Sequence, residues 1–77
     1  MLAFKPKKSS NVNWLSYDLS SHILFASLGK DNKEYAYKSV PVDVYNQLLV
    51  ADQKGDSVGE LFNKLVVKGG YKYEKLK

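Results

Sequence analysis

The sequence predicts an α+β domain: a three-stranded antiparallel meander followed by two helices packed on one sheet face, with room for a short C-terminal edge strand. Three observations carry this reading. Three short runs of strand type lie between Asn11 and Lys38, separated by turn-forming clusters. From Val44 to Val66 the apolar spacing changes to that of helices. The strands come first and the helices second, and 77 residues allow one domain.

Residues 1–8 read as a flexible basic leader, with Pro6 and Ser9-Ser10 breaking any regular pattern, and residues 9–77 as the domain. The first strand spans Asn11 to Tyr17. Val12 and Trp14 share one phase and Leu15 and Tyr17 the other, which indicates a bulge or a strand covered on both faces. Asp18-Leu19-Ser20-Ser21 has turn chemistry, because aspartate and serine side chains bond nearby amides. The second strand runs from His22 to Ser27, and Gly29-Lys30-Asp31-Asn32 turns the chain into a third, Lys33 to Lys38. In that strand Tyr35 and Tyr37 face one side while Glu34, Ala36 and Lys38 face the other.

Val40-Pro41 closes the sheet section. Proline suits a helix start, where its missing N–H costs nothing, and Asp43 complements the positive helix end. Val44, Tyr45, Leu48, Leu49 and Ala51 form the apolar stripe, and Gly55 ends it. Ser57-Val58-Gly59-Glu60 is a capping box opening a second helix, whose apolar face is Leu61, Phe62, Leu65 and Val66. Gly69-Gly70 stops it. The tail from Tyr71 alternates aromatic and charged residues and either adds an edge strand or wraps the surface.

Composition narrows the function classes. There is no cysteine, which excludes disulfides, thiolate metal sites and a cysteine nucleophile. No apolar run is long enough to span a membrane, so a cytoplasmic protein is expected. All twelve basic residues are lysine, which argues against arginine-type reading of base edges but leaves diffuse attraction to phosphate. Both ends are basic and the middle acidic: +3 over residues 1–10, −3 over 11–60 and +4 over 61–77. His22 is the one histidine and has no matched partner, and no serine sits in a nucleophile elbow. Asp52 and Asp56 flank a turn without the spacing of a calcium loop. The expectation is a non-enzyme with no cofactor.

The order of short motifs resembles the KTSC domain family, named from the C-terminus of some lysyl-tRNA synthetases and found also as small free-standing proteins of bacteria and their viruses. The matching residues are Ser9-Ser10, Leu15-Ser16-Tyr17-Asp18, Tyr35-Ala36-Tyr37, Val40-Pro41, Val44-Tyr45, Leu48-Leu49-Val50-Ala51, Ser57-Val58-Gly59, Phe62-Asn63 and Tyr71-Lys72-Tyr73. Two features depart from the pattern: a longer link at Asp52–Asp56, and Lys64 where arginine is expected after Phe-Asn. The resemblance implies a domain of unassigned function, with RNA binding suggested and no enzyme.

The candidate ligand-binding residues are Trp14, Tyr35, Tyr37, Lys38, Asn63, Lys64, Lys68, Tyr71 and Tyr73. Each has a structural reading beside the functional one. Tyr35 and Tyr37 stack on bases or receive the helices, and the need to cover two apolar helices favours the latter. Trp14 belongs to the core, an interface or a stacking platform. The Asn63 side chain bonds the preceding loop or a ligand. Lys64, Lys68 and Lys72 with Tyr71 and Tyr73 form a phosphate-and-base end or a solvated helix terminus. A domain of this kind acts by occupancy. The expected function is to hold or sequester a nucleotide-type ligand, a small nucleotide or single-stranded RNA, in a homo-oligomer. The alternative is a protein-interaction module or an inhibitor of a host protein.

Overall fold

The computed structural model describes residues 1–8 and 11–76. Five antiparallel strands form one sheet in chain order: β1 (Leu2–Phe4), β2 (Val12–Asp18), β3 (Ile23–Leu28), β4 (Lys33–Tyr37) and β5 (Tyr73–Lys75). Helix α1 (Val42–Gln53) and the short helix α2 (Val58–Phe62) lie between β4 and β5 in sequence, and α2 runs on into a π-helical turn, Asn63–Val67. The fold is α+β, and the expected meander is its central part, extended by a strand at each end. Of the two alternatives for the C-terminal tail, the edge strand is the one formed. The N-terminal one replaces the expected leader: Leu2, Ala3 and Phe4 pair with Tyr17, Ser16 and Leu15 of β2. A second tie holds this segment down, because the Lys7 amide donates to the buried Asp52 carboxylate on α1 at 2.7 Å. Asp52 is thus a structural acceptor. The motif residues Ser9 and Ser10 lie outside the described residues.

The helices cover one face of the sheet. Leu15, Tyr17, Leu24, Ala26 and Tyr37 from the strands meet Val44, Tyr45, Leu48, Val58, Phe62 and Val66 from the helical side, with Val12 and Val40 closing the ends. Tyr17 is fully buried and stacks on Tyr45, with centroids 5.4 Å apart, while its hydroxyl donates to the Val40 carbonyl. The phase change in β2 is a bulge: the register shifts between Val12 and Trp14. Beyond it, Leu15 and Tyr17 point to the core, and Trp14 and Ser16 point to the opposite face.

The bulged residue, Asn13, has a second task. Its amide donates to the Gly29 carbonyl at 2.7 Å, to Asn32 Oδ1 at 3.0 Å and to Ser27 Oγ at 3.3 Å. These bonds hold the β3–β4 turn, where Gly29 and Asn32 both adopt positive φ. Asn13→Ala is expected to cost about 1–3 kcal/mol, because it strands several acceptors in a half-buried site. The drop is read as a lower denaturation midpoint with an unchanged slope.

The helix ends follow from local chemistry. Pro41 caps α1 without a side-chain bond, and Asp43 sits in the first turn. At the other end Gly55, at φ 82°, accepts the left-handed conformation, and the Gly55 and Asp56 amides donate back to the Asp52 and Ala51 carbonyls. Ser57 Oγ accepts from the Glu60 amide at 3.4 Å, as the capping box requires. The Lys68 amide reaches the Asn63 carbonyl five residues back at 3.0 Å, which defines the widened π turn.

Candidate functional site: a tyrosine ledge at the sheet edge

Pairing of β4 with β5 places Tyr35 opposite Lys75 and Tyr37 opposite Tyr73. Residues two apart on a strand share a face, so Lys33, Tyr35, Tyr37, Tyr73 and Lys75 all lie on the helix-bearing side, at its outer edge. The three rings form a connected group: Tyr35–Tyr37 centroids are 6.2 Å apart, Tyr35–Tyr73 5.9 Å and Tyr37–Tyr73 5.6 Å. Their exposure is graded. Tyr37 is buried and meets Phe62 edge-on at 5.7 Å, Tyr35 is half-buried, and Tyr73 is 63% exposed. The inner ring belongs to the core, and the outer two offer aromatic surface to solvent. Beside Tyr35 a shallow hollow of about 260 Å³ is lined by Lys30, Asp31 and Lys33 together with Asn11, Leu28 and Gly29.

Burial holds the Tyr37 hydroxyl in its neutral form, pushing its pKa up, and charge on Tyr35 or Tyr73 would add to the effect. Burial raises Tyr45 for the same reason, and Tyr17 by burial and then by the adjacent Asp18 carboxylate. The unfolded chain loses these protons near pH ~10, while the fold retains them. Stability is therefore fully present below that pH and falls as pH rises from there through the folded values. Urea midpoints measured across this alkaline range are expected to drop, with the tyrosinate absorbance of Tyr17, Tyr37 and Tyr45 appearing together with unfolding. A flat midpoint would count against this burial pattern.

The sequence-derived candidates do not form one site. Tyr35, Tyr37 and Tyr73 come together. Trp14 and Lys38 lie on the opposite sheet face, and Lys38 Nζ stands 3.9 Å from Glu74 there. Tyr71 is half-buried against the core, its ring over Gly69: a Cβ on that glycine would lie 2.9 Å from the Tyr71 ring and 2.3 Å from the Leu65 carbonyl. Asn63 is exposed, and its side chain bonds no group of the preceding loop among the described residues, which was the structural alternative for it. Lys64 lines a separate hollow with Asp56, Ser57 and Glu60, and Lys68 is exposed after the π turn. Lys33 and Lys75 were missed. Their positions were readable, since Lys33 shares the phase of Tyr35 and Lys75 that of Tyr73.

A larger hollow, about 560 Å³, lies elsewhere, between α1 and α2, with Asp43 and Asp56 against one lysine, Lys54. That balance disfavours an anionic ligand. Another, about 480 Å³, is lined by Ser21, His22, Ser39 and Asp43. His22 is exposed, and its Nδ1 stands 3.5 Å from the Tyr17 hydroxyl. No helix among the described residues is long and apolar enough to cross a membrane.

The KTSC domain model matches residues 8–71, most of the chain. The chain belongs to the KTSC domain family. Among solved structures it is similar to a KTSC domain protein from Yersinia pestis, with a TM-score of 0.72 and 23% sequence identity over 99% of this chain and 100% of that one. At that identity the likeness speaks to the fold, and it extends over nearly the full length of both chains. No curated protein matches.

Proposed function

We propose that this KTSC domain is a non-catalytic binding protein that holds a nucleotide-type ligand, a small nucleotide or single-stranded RNA, on the Tyr35–Tyr73 ledge. The observation that carries the reading is the coincidence of two solvent-facing tyrosines with lysines of the same sheet face, Lys33 and Lys75, and a lysine-lined hollow beside them. Aromatic faces take bases of any sequence, and lysines take phosphates without the fixed fork that arginine would impose. Tyr37 and Phe62 support the ledge from beneath, so the outer rings are held at little conformational cost. Such a site acts by occupancy, holding or sequestering its ligand.

Native mass spectrometry of protein purified gently from cells, compared with the denatured protein, tests the proposal. A retained mass that absorbs in the nucleobase band supports it. A ligand-free protein that also ignores added nucleotides and short RNA overturns it.

A further inference from the structure

Among the described residues, no helix or strand packs on the sheet face away from the helices. Register assigns its residues in three rows across the strands. The middle row reads Ala3, Ser16, Phe25, Ala36 and Glu74. Next to it on one side stand Asp18 and Ile23, with Lys38 two positions beyond Ala36 and just past the end of β4, and on the other Trp14, Ser27 and Glu34. Phe25 is central and half-buried, with small residues on both flanks and Trp14 and Ile23 near it. An apolar centre inside a charged rim is the layout of an interface.

The charges specify what covers it. Asp18 ends β2, and Lys38 directly follows the end of β4 in the phase of Ala36, so the two stand one strand to either side of Ile23 on β3. A two-fold axis running along β3 between two facing sheets exchanges β2 with β4. It sets Asp18 of each copy against Lys38 of the other, twice, and places Phe25 over Phe25. Stacked sheets lie ~10 Å apart, a gap that a lysine and an aspartate span together. The rotation of roughly 30° usual between packed sheets displaces residues this close to the axis by little more than a side chain can follow. The existing Lys38–Glu74 pair is long and exposed, 3.9 Å with both side chains over half accessible, so Lys38 is free to take a better partner.

We propose that this open face is the interface of a two-fold homodimer of the chain, with the axis along β3 and reciprocal Asp18–Lys38 pairs. The proposal is independent of the ligand ledge, which lies on the other side of the sheet.

Sedimentation equilibrium over a range of concentrations tests it, with circular dichroism to verify folding of each variant. The wild type is expected to dimerise, and Lys38→Asp to weaken the dimer at least tenfold by setting two like-charge pairs face to face. Asp18→Asn, which keeps the oxygen that accepts from Ser20 while removing the charge, is expected to weaken it several-fold. Lys38→Asp combined with Asp18→Lys restores the dimer, whereas Lys38→Asp combined with Glu34→Lys does not. A monomeric wild type overturns the proposal, as does a dimer indifferent to both single changes. Rescue through Glu34 overturns it too, because that points to an axis running across the strands.

Discussion

Phe62→Ala is expected to cost about 3–5 kcal/mol, the usual range for emptying a large buried aromatic site. A domain of this length has roughly 4–12 kcal/mol in total, so the variant loses much or all of its folded population. The position explains the size of the effect. Phe62 is 1% exposed, ends α2 where the chain enters the π turn, and supports Tyr37 edge-on. Its removal leaves a void between sheet and helix that neither the rigid sheet nor the capped helix can close. Urea denaturation followed by circular dichroism measures the loss. A change below about 1 kcal/mol would mean that the helical layer does not bear on the sheet through this ring.

Tyr73→Ala is the second large effect, and it falls on binding while sparing the fold. Tyr73 is mostly exposed on an edge strand, so its loss should cost at most about 1 kcal/mol of stability. Base stacking on a single aromatic side chain contributes roughly 1–3 kcal/mol, so affinity for a short oligonucleotide should fall roughly 5- to 150-fold. Lys75→Ala is expected to act through charge. It lowers affinity and makes the dependence on salt less steep, by about 0.7 in the logarithmic slope for each phosphate that is no longer neutralised. The two variants together separate stacking from charge, and Lys54→Ala, at an exposed lysine away from the ledge, serves as the folded control that leaves binding unchanged.

The central sheet, both helices and the caps were legible in the sequence because each has a local cause. Tyr35 and Tyr37 alternate with charged residues, Ser57 stands three residues before Glu60, and Gly55 offers the conformation a helix end needs. β1 was hidden for a physical reason. Leu2-Ala3-Phe4 is too short to show a period, and its strand state depends on pairing with Leu15–Tyr17 and on a bond from Lys7 to Asp52, forty-five residues away. The π turn was equally silent, since Phe62 and Val66 keep the same buried spacing whether the turn between them is tight or wide. The candidate site was half readable. Strand phase grouped Tyr35 with Tyr37 and set Lys38 apart from them, but the face of Trp14 depended on where the bulge fell. Tyr73 and Lys75 joined the group only once β5 had a register. Asn63 and Tyr71 show the limit from the other side: a polar residue on a helix was read as bonded and is exposed, and an aromatic in a tail was read as available and is packed over Gly69.

The most direct test of the ligand ledge is a titration of the isotopically labelled protein with a short single-stranded oligoribonucleotide, followed residue by residue by nuclear magnetic resonance at low and high salt. The proposed function predicts shifts concentrated on Lys33, Tyr35, Tyr73 and Lys75, saturating at low salt, weakening as salt rises and reaching saturation only at higher ligand concentration in Tyr73→Ala. Saturable shifts centred on Trp14 and Phe25, or no shifts at any concentration reached, would contradict it.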